Sequence, residues 1–309
     1  MSSDKIALSY SRSKGIFLVL TAAILWGVSG SVAQFLFQQN GFSPEWLVVI
    51  RLLLAGLILL IFASLIEKKN IFDIWKNKNE ILSLLLFSLL GMLAVQYTYF
   101  AAINSSNAAT ATILQYLAPV IITCYLAIRF KKVPSYKELL AVGLALVGTF
   151  LLVTHGNINE LSISGWALFW GLSSAFALAF YTLQPQNLLK KWGSTMIVGW
   201  GMLIGGISFS FINPPWDFSG HWSISSYFAV IFIVIFGTLI AFYCYLESLK
   251  YINASETSLL ASVEPLSAAI LSVVWLQVDF GVVDWIGSLC IICTIMILSI
   301  SKNKDEIIE

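Results

Sequence analysis

Charge is what this sequence lacks most. Of its 309 residues only 11% are Asp, Glu, Lys or Arg, against about 25% in a water-soluble domain. With 59% hydrophobic residues and a mean hydropathy of +0.87, too little polar material remains to cover a water-facing surface. Histidine is scarcer still, with His155 and His221 the two copies. No H-E-x-x-H, metal-ligand cluster or phosphate loop can be assembled, so the sequence points to no cofactor and no metal. The four cysteines, Cys124, Cys244, Cys290 and Cys293, all fall inside apolar blocks, which argues against a disulfide framework. Cys290 and Cys293 form a C-x-x-C, but mid-block. Redox or metal chemistry needs a water-accessible loop or helix start, so the pair reads as core packing. A net charge of +1, with no basic aromatic patch, gives no reason to expect nucleic acid as a partner.

What is there is apolar sequence in long blocks. About 20 apolar residues make a membrane-spanning helix, and ten such blocks can be marked: 15–36, 44–66, 81–103, 107–128, 136–154, 163–186, 195–212, 226–249, 253–275 and 281–301. The breaks between them are too short for a soluble domain. If the N-terminus is cytoplasmic, ten spans place 16 of the 17 Lys and Arg residues on the inner side, from Lys5 to Lys304. The remaining one, Arg51, lies within a span. That one-sidedness is the positive-inside pattern. It predicts a multi-pass protein of the plasma membrane with a cytoplasmic tail at each end, 1–14 and 302–309. Ser31-Val32-Ala33 resembles a signal-peptide cleavage site, but cutting there would remove a helix that has a counterpart in the second half.

That counterpart appears when the chain is laid on itself. At a shift of 146 residues the third and fourth blocks fall on the eighth and ninth. Tyr97 meets Tyr243, Tyr99 meets Tyr245, Asn107 meets Asn253 and Pro119 meets Pro265. At a shift of 150, Gly15 meets Gly165 and Gln34 meets Gln184. The two halves, 15–154 and 163–301, each hold five spans. An odd number forces the second half to enter the membrane from the opposite side, so the predicted fold is all-α, ten transmembrane helices in two inverted-topology repeats. Secondary transporters built this way hold substrate near the midplane between the halves.

Candidate path residues follow from helical spacing. On the sixth span Trp166, Trp170, Ser173, Ala177, Tyr181 and Gln184 recur at steps of three or four. The first span carries Ala23, Gly27, Gly30, Ser31 and Gln34 on one face, with Trp26 beside it. On the fourth, Thr112, Gln115, Tyr116 and Pro119 share a face. Tyr97, Tyr99, Tyr243 and Ser262 complete the candidate set. The competing reading for each is helix packing with interhelical hydrogen bonds. Pro119 and Pro265 each remove a backbone donor at mid-span. The freed carbonyls are candidate ligands or hinges, and a fixed kink is the plainer alternative. A charge at the centre of a spanning helix costs roughly 2.5–3.5 kcal/mol on insertion scales, so Arg51 and Glu264 ask for a purpose. Three stand open for Glu264: binding an amine on the substrate, coupling to protons, or a structural contact to backbone or Arg51. Glu247 lies near a span end, where a gate role or pairing both fit.

These residues carry a resemblance. Leu25-Trp26-Gly27, Arg51-Leu52-Leu53-Leu54-Ala55-Gly56, Tyr116-Leu117-Ala118-Pro119-Val120 and Val263-Glu264-Pro265-Leu266-Ser267-Ala268-Ala269 together resemble the drug/metabolite transporter superfamily, in its EamA-type branch, over roughly 15–301. The resemblance implies a central cavity between the repeats and export or facilitated movement of amino acids or related metabolites. It also implies that Glu264-Pro265 is largely a structural hallmark. The expected partners are a small-molecule substrate and the bilayer; the oligomeric state is left open, with a monomer as a plausible form. Rivals are a lipid flippase or a passive channel of the same architecture. Gly27-Val28-Ser29-Gly30 has the look of an intramembrane serine protease, but no helix-borne His stands at its depth, so an enzyme is not expected.

Overall fold

The computed structural model describes residues 2–131, 135–155, 163–248, 251–252, 257 and 260–305. Among these residues the regular structure is helical and no strand occurs. The main helices are α1 (Ser2–Asn40), α2 (Pro44–Leu65), α3 (Lys78–Ser105), α4 (Ala108–Phe130), α5 (Tyr136–Thr154), α6 (Gly165–Leu183), α7 (Ser194–Ser210), α8 (Ile224–Ser248), α9 (Val263–Val274) and α10 (Val282–Asp305). Seven of them, α1 to α6 and α8, are long and apolar enough to cross a membrane; α7, α9 and the apolar part of α10 are shorter. Each sequence block therefore contains a helix, but the expectation of ten full-length spans is met in length by seven. The segment 1–14, expected as a tail, is helical from Ser2 and runs into α1, and α10 continues to Asp305. The sixth block ends early: α6 stops at Leu183 and a separate short helix, Gln186–Trp192, follows.

Local chemistry sets the helix starts. Ser43 caps α2, accepting from the Trp46 N–H at 3.2 Å, with Pro44 opening the first turn. Asn107 caps α4 through the Thr110 N–H at 2.8 Å, and Ser135 with Glu138 forms a capping box on α5. In a membrane these caps matter more than in water, because unmet backbone groups have no solvent to turn to.

The outside of the bundle is apolar. Phe228 is 69% exposed, Leu146 68% and Phe176 62%. A water-soluble surface does not tolerate such residues in a continuous belt, so the chain is a multi-pass membrane protein. Cys293 lies on this outer face and Cys290 is half-buried, which corrects the reading of the C-x-x-C as core packing.

Four packing arrangements organise the interior: α2 against α7, α5 against α10, α1 against α8 and α9, and α6 against α3 and α4. Glycines let backbones meet. A Cβ on Gly56 would lie 2.6 Å from Leu203 N, and one on Gly148 would lie 2.7 Å from Gly287 O.

Three helices deviate from regular α geometry, in two related ways. α3 and α8 each contain a π segment, Phe87–Leu93 and Ile235–Ile240, where the Ala94 N–H reaches Leu89 O and the Ala241 N–H reaches Phe236 O. α4 breaks at Tyr116–Leu117, immediately before Pro119. Leading into α9, Ser262 is a turn residue between helical Ala261 and Val263. Both prolines thus sit in the first turn of a new helical segment, where proline is well tolerated; they mark breaks rather than kinks. The paired residue Asn253 lies outside the described residues.

Candidate functional site

A cavity of about 510 Å³ lies among α1, α3, α4, α6, α8 and α9. That is within the usual range for small-molecule sites. Its polar centre is where the break in α4 faces the break before α9. Pro265 has no N–H, so the carbonyl four residues earlier, Ala261 O, loses its intrahelical donor. The Tyr116 phenol supplies one from the opposite break. Its Oη lies 3.0 Å from Ala261 O and 2.8 Å from Glu264 Oε2. A single O–H proton is shared between carbonyl and carboxylate, which leaves Glu264 Oε1 turned to neither.

Arg51 reaches the same cavity from α2. It is 5% exposed. Its Nε donates to Thr238 Oγ1 at 2.7 Å and its Nη2 to Gly237 O at 3.4 Å. The guanidinium also stands 5.1 Å from the Phe100 ring centroid. Gly237 and Thr238 belong to the π segment of α8, so a buried cation fills the donor shortage of an irregular turn. One cation and one carboxylate thus share a cavity in a low-dielectric interior, where opposite charges attract strongly.

The rest of the wall is aromatic and amide. Trp26 meets Phe242 and Tyr245 at 5.2 and 5.3 Å between ring centroids. Tyr99 Oη and Thr112 Oγ1 are 2.7 Å apart. Gln96, Gln115 and Tyr181 also line the space. At one end the lining includes Thr123, Glu138, Thr182 and Leu246, so the cavity extends toward the end of the bundle that carries Arg129, Lys137 and Lys190. The other end is filled. Tyr97 packs on Trp170 and Phe209, Phe35 stacks on Trp275, and Ser164 Oγ donates to Ser105 O at 3.3 Å.

Of the residues singled out in the sequence, the cavity brings together Trp26, Gly30, Arg51, Tyr99, Gln115, Tyr116, Pro119, Tyr181 and Glu264. Thr112 stands behind Tyr99, and Ser262 and Pro265 lie at the break beside Glu264. The others sit elsewhere. Gln34 accepts from the Ala108 N–H at 2.8 Å and donates to Gln38. Its repeat partner Gln184 donates to Ser83 O and Oγ, both at 2.9 Å. Ser31 bonds the Gly27 carbonyl of its own helix. Tyr97 donates to Glu45 at 3.1 Å, and Trp170 packs on it. Ser173 is half-buried on α6, outside the lining. Tyr243 faces outward against Phe62. Glu247 accepts from Tyr251 at 3.4 Å.

Gln96, Phe242 and Tyr245 line the cavity and were not among the sequence candidates. Tyr245 was signalled by its pairing with Tyr99 at the 146-residue shift. Met92, Gln96 and Tyr99 form a stripe at steps of four and three. The π segment ending at Leu93 turns that face away from the one a regular helix would present.

This placement separates two neighbours on α6. Tyr181→Ala should cut transport at least tenfold, because it opens the cavity wall. Gln184→Ala should leave the rate within about twofold and cost about 1 kcal/mol of stability for its bonds to Ser83. Initial rates in proteoliposomes, with melting of the detergent-solubilised protein, check both. Equal loss in the two variants would remove Tyr181 from the site.

The sequence matches the model of the EamA-like transporter family twice, over residues 13–154 and 165–300. It is 43% identical to the uncharacterized inner membrane transporter YicL of Salmonella typhimurium, over 95% of this chain and 98% of that one. The uncharacterized transporter YwfM of Bacillus subtilis is 23% identical, covering 94% and 95%. The S-adenosylmethionine/S-adenosylhomocysteine transporter of Chlamydia muridarum is 22% identical, covering 94% of each. A solved crystal structure superposes with a TM-score of 0.62 at 18% identity, covering 95% of this chain and 99% of the other; at that identity it speaks for the fold alone.

Proposed function

Because the chain belongs to the EamA-like transporter family, we propose that it is a secondary carrier exporting a small metabolite, an amino acid or related amine, by alternating access between two inverted five-helix repeats. The observation that carries this is the cavity between two facing helix breaks, one from each half, with Arg51 and Glu264 reaching into it. A guanidinium and a carboxylate in one cavity suit the two poles of a zwitterion. Broken helices around a central site are the form in which carriers expose backbone groups to substrate.

The packing supports the two-repeat reading. Exchange the first five helices with the last five, α1 for α6 through α5 for α10. The pairs α2–α7 and α5–α10 map onto themselves, and α1 with α8 and α9 maps onto α6 with α3 and α4. The π segments and the breaks fall at near-matching positions under the same exchange. The positive-inside rule puts the Lys/Arg-rich end in the cytoplasm. The cavity extends toward that end, where a substrate for export enters. The description of the Salmonella relative as an inner membrane transporter favours the cell membrane as the location.

Counterflow in proteoliposomes tests the reading. Vesicles preloaded with unlabelled amino acids or amines should accumulate the labelled compound faster than empty ones, with or without a pH gradient. A passive channel gives no such trans-stimulation, so its absence across the panel overturns the proposal.

A further inference from the structure

Two carboxamides in the cavity have no protein to talk to. Gln96 is 7% exposed and Gln115 8%, and both line the cavity. Among the described residues neither side chain makes a hydrogen bond, whereas Gln34 and Gln184 are both tied to other helices. The phenols of Tyr181 and Tyr245 line the same space and carry no hydrogen bond either. Their polar atoms open onto the cavity rather than being enclosed by protein, so only an occupant or water can meet them. Four such groups converging on one cavity form a hydrogen-bonding surface directed at whatever occupies it.

The chemistry of that surface narrows the occupant. A carboxamide offers a donor and an acceptor side by side, a pattern matched by a ring edge carrying an acceptor nitrogen next to an N–H. The walls between the carboxamides are π faces: Trp26, Tyr99, Tyr116, Tyr181, Phe242 and Tyr245. Such faces take flat rings in offset or edge-on contact, and base-on-aromatic stacking is tolerant of ring identity. An aliphatic side chain would use the apolar area but leave every amide and phenol unmet. A benzene ring would fill the π faces and leave the carboxamides unmet.

We propose that the cavity binds a substrate whose body is a planar nitrogen heterocycle, imidazole-like or purine-like, with Gln96 and Gln115 reading its polar edge and the aromatic walls holding its faces. The proposal rests on the cavity being the substrate site of the carrier. Arg51 and Glu264 then hold the charged head of such a substrate, and the two glutamines select its ring.

Reconstituted full-length protein tests this with defined probes. Uptake by counterflow is measured for histidine, phenylalanine and leucine, and for adenosine beside 7-deazaadenosine, which lacks only the N7 acceptor. The expected result is at least a tenfold preference for adenosine over 7-deazaadenosine and for histidine over phenylalanine. In Gln96→Leu and Gln115→Leu the preference should collapse toward unity. The wild-type comparison needs no variant to fold, so a poorly recovered variant does not shield the proposal. Exchange of phenylalanine or leucine with no advantage for the nitrogen rings overturns the inference and leaves the carrier reading standing. Trans-stimulation by none of the five overturns this inference together with the reading it rests on.

Discussion

Gly27→Val should abolish transport and reduce recovery of folded protein at least tenfold. A Cβ built on Gly27 overlaps the Ser267 hydroxyl and lies 2.7 Å from Glu264 O and 3.0 Å from Ala268 N. The two latter atoms are backbone and cannot rotate aside. α1 would have to move off α9 at the level of the Glu264 carbonyl, beside the cavity. Overpacking in a core costs about 1–3 kcal/mol when side chains can adjust, and here they cannot. Gly143→Val is the control. It sits on the exposed face of α5, where a Cβ meets nothing within 4 Å, and it should leave yield and transport unchanged. Detergent-solubilised yield on size exclusion, with counterflow on what is recovered, reads both. A Gly27→Val protein that transports normally would show that α1 and α9 are not held at this distance.

Glu264→Gln is the second large effect, and it separates charge from shape. Glutamine keeps the volume and an oxygen for the Tyr116 phenol, so the bridge between the two breaks survives and folded yield should stay near wild type. What disappears is the negative charge facing the cavity. Removing one member of a buried charge pair in a binding site costs about 2–5 kcal/mol. Transport of amine-bearing substrates should therefore fall at least thirtyfold, and any acceleration by a pH gradient should vanish with it. Comparing initial rates for an amine with those for a neutral analogue isolates the charge. Unchanged rates and unchanged pH response would make Glu264 a structural residue that serves Tyr116 alone.

The membrane character was open to reading because it is a property of composition: scarce charge and apolar blocks need no tertiary information. The breaks were legible too, since a proline at mid-block announces a missing donor wherever it sits. What the sequence could not place was the direction in which side chains point. Gln34 and Gln184 looked like cavity residues because amides at depth need partners. The partners turned out to be the Ala108 N–H and Ser83, contacts set by how helices from different parts of the chain cross. Gln96 was overlooked for a related reason. Counting from the start of α3 assumes 3.6 residues per turn, and the π segment Phe87–Leu93 breaks that count just before it. The ninth block, 253–275, also reads as one longer helix, because hydropathy cannot see that Val263–Val274 begins only after a break.

The contact of Tyr116 with Ala261 and Glu264 makes the two stretches that match the family model depend on each other. Under the 146-residue shift Tyr116 corresponds to Ser262, and Ala118 corresponds to Glu264. The donor therefore lies in the first stretch that matches the family model and the carboxylate acceptor in the second. A protein assembled from two copies of the first unit would have two phenols and no carboxylate. One assembled from two copies of the second would have two carboxylates and no phenol. The bridge therefore needs both stretches, and neither carries the side chains to replace the other.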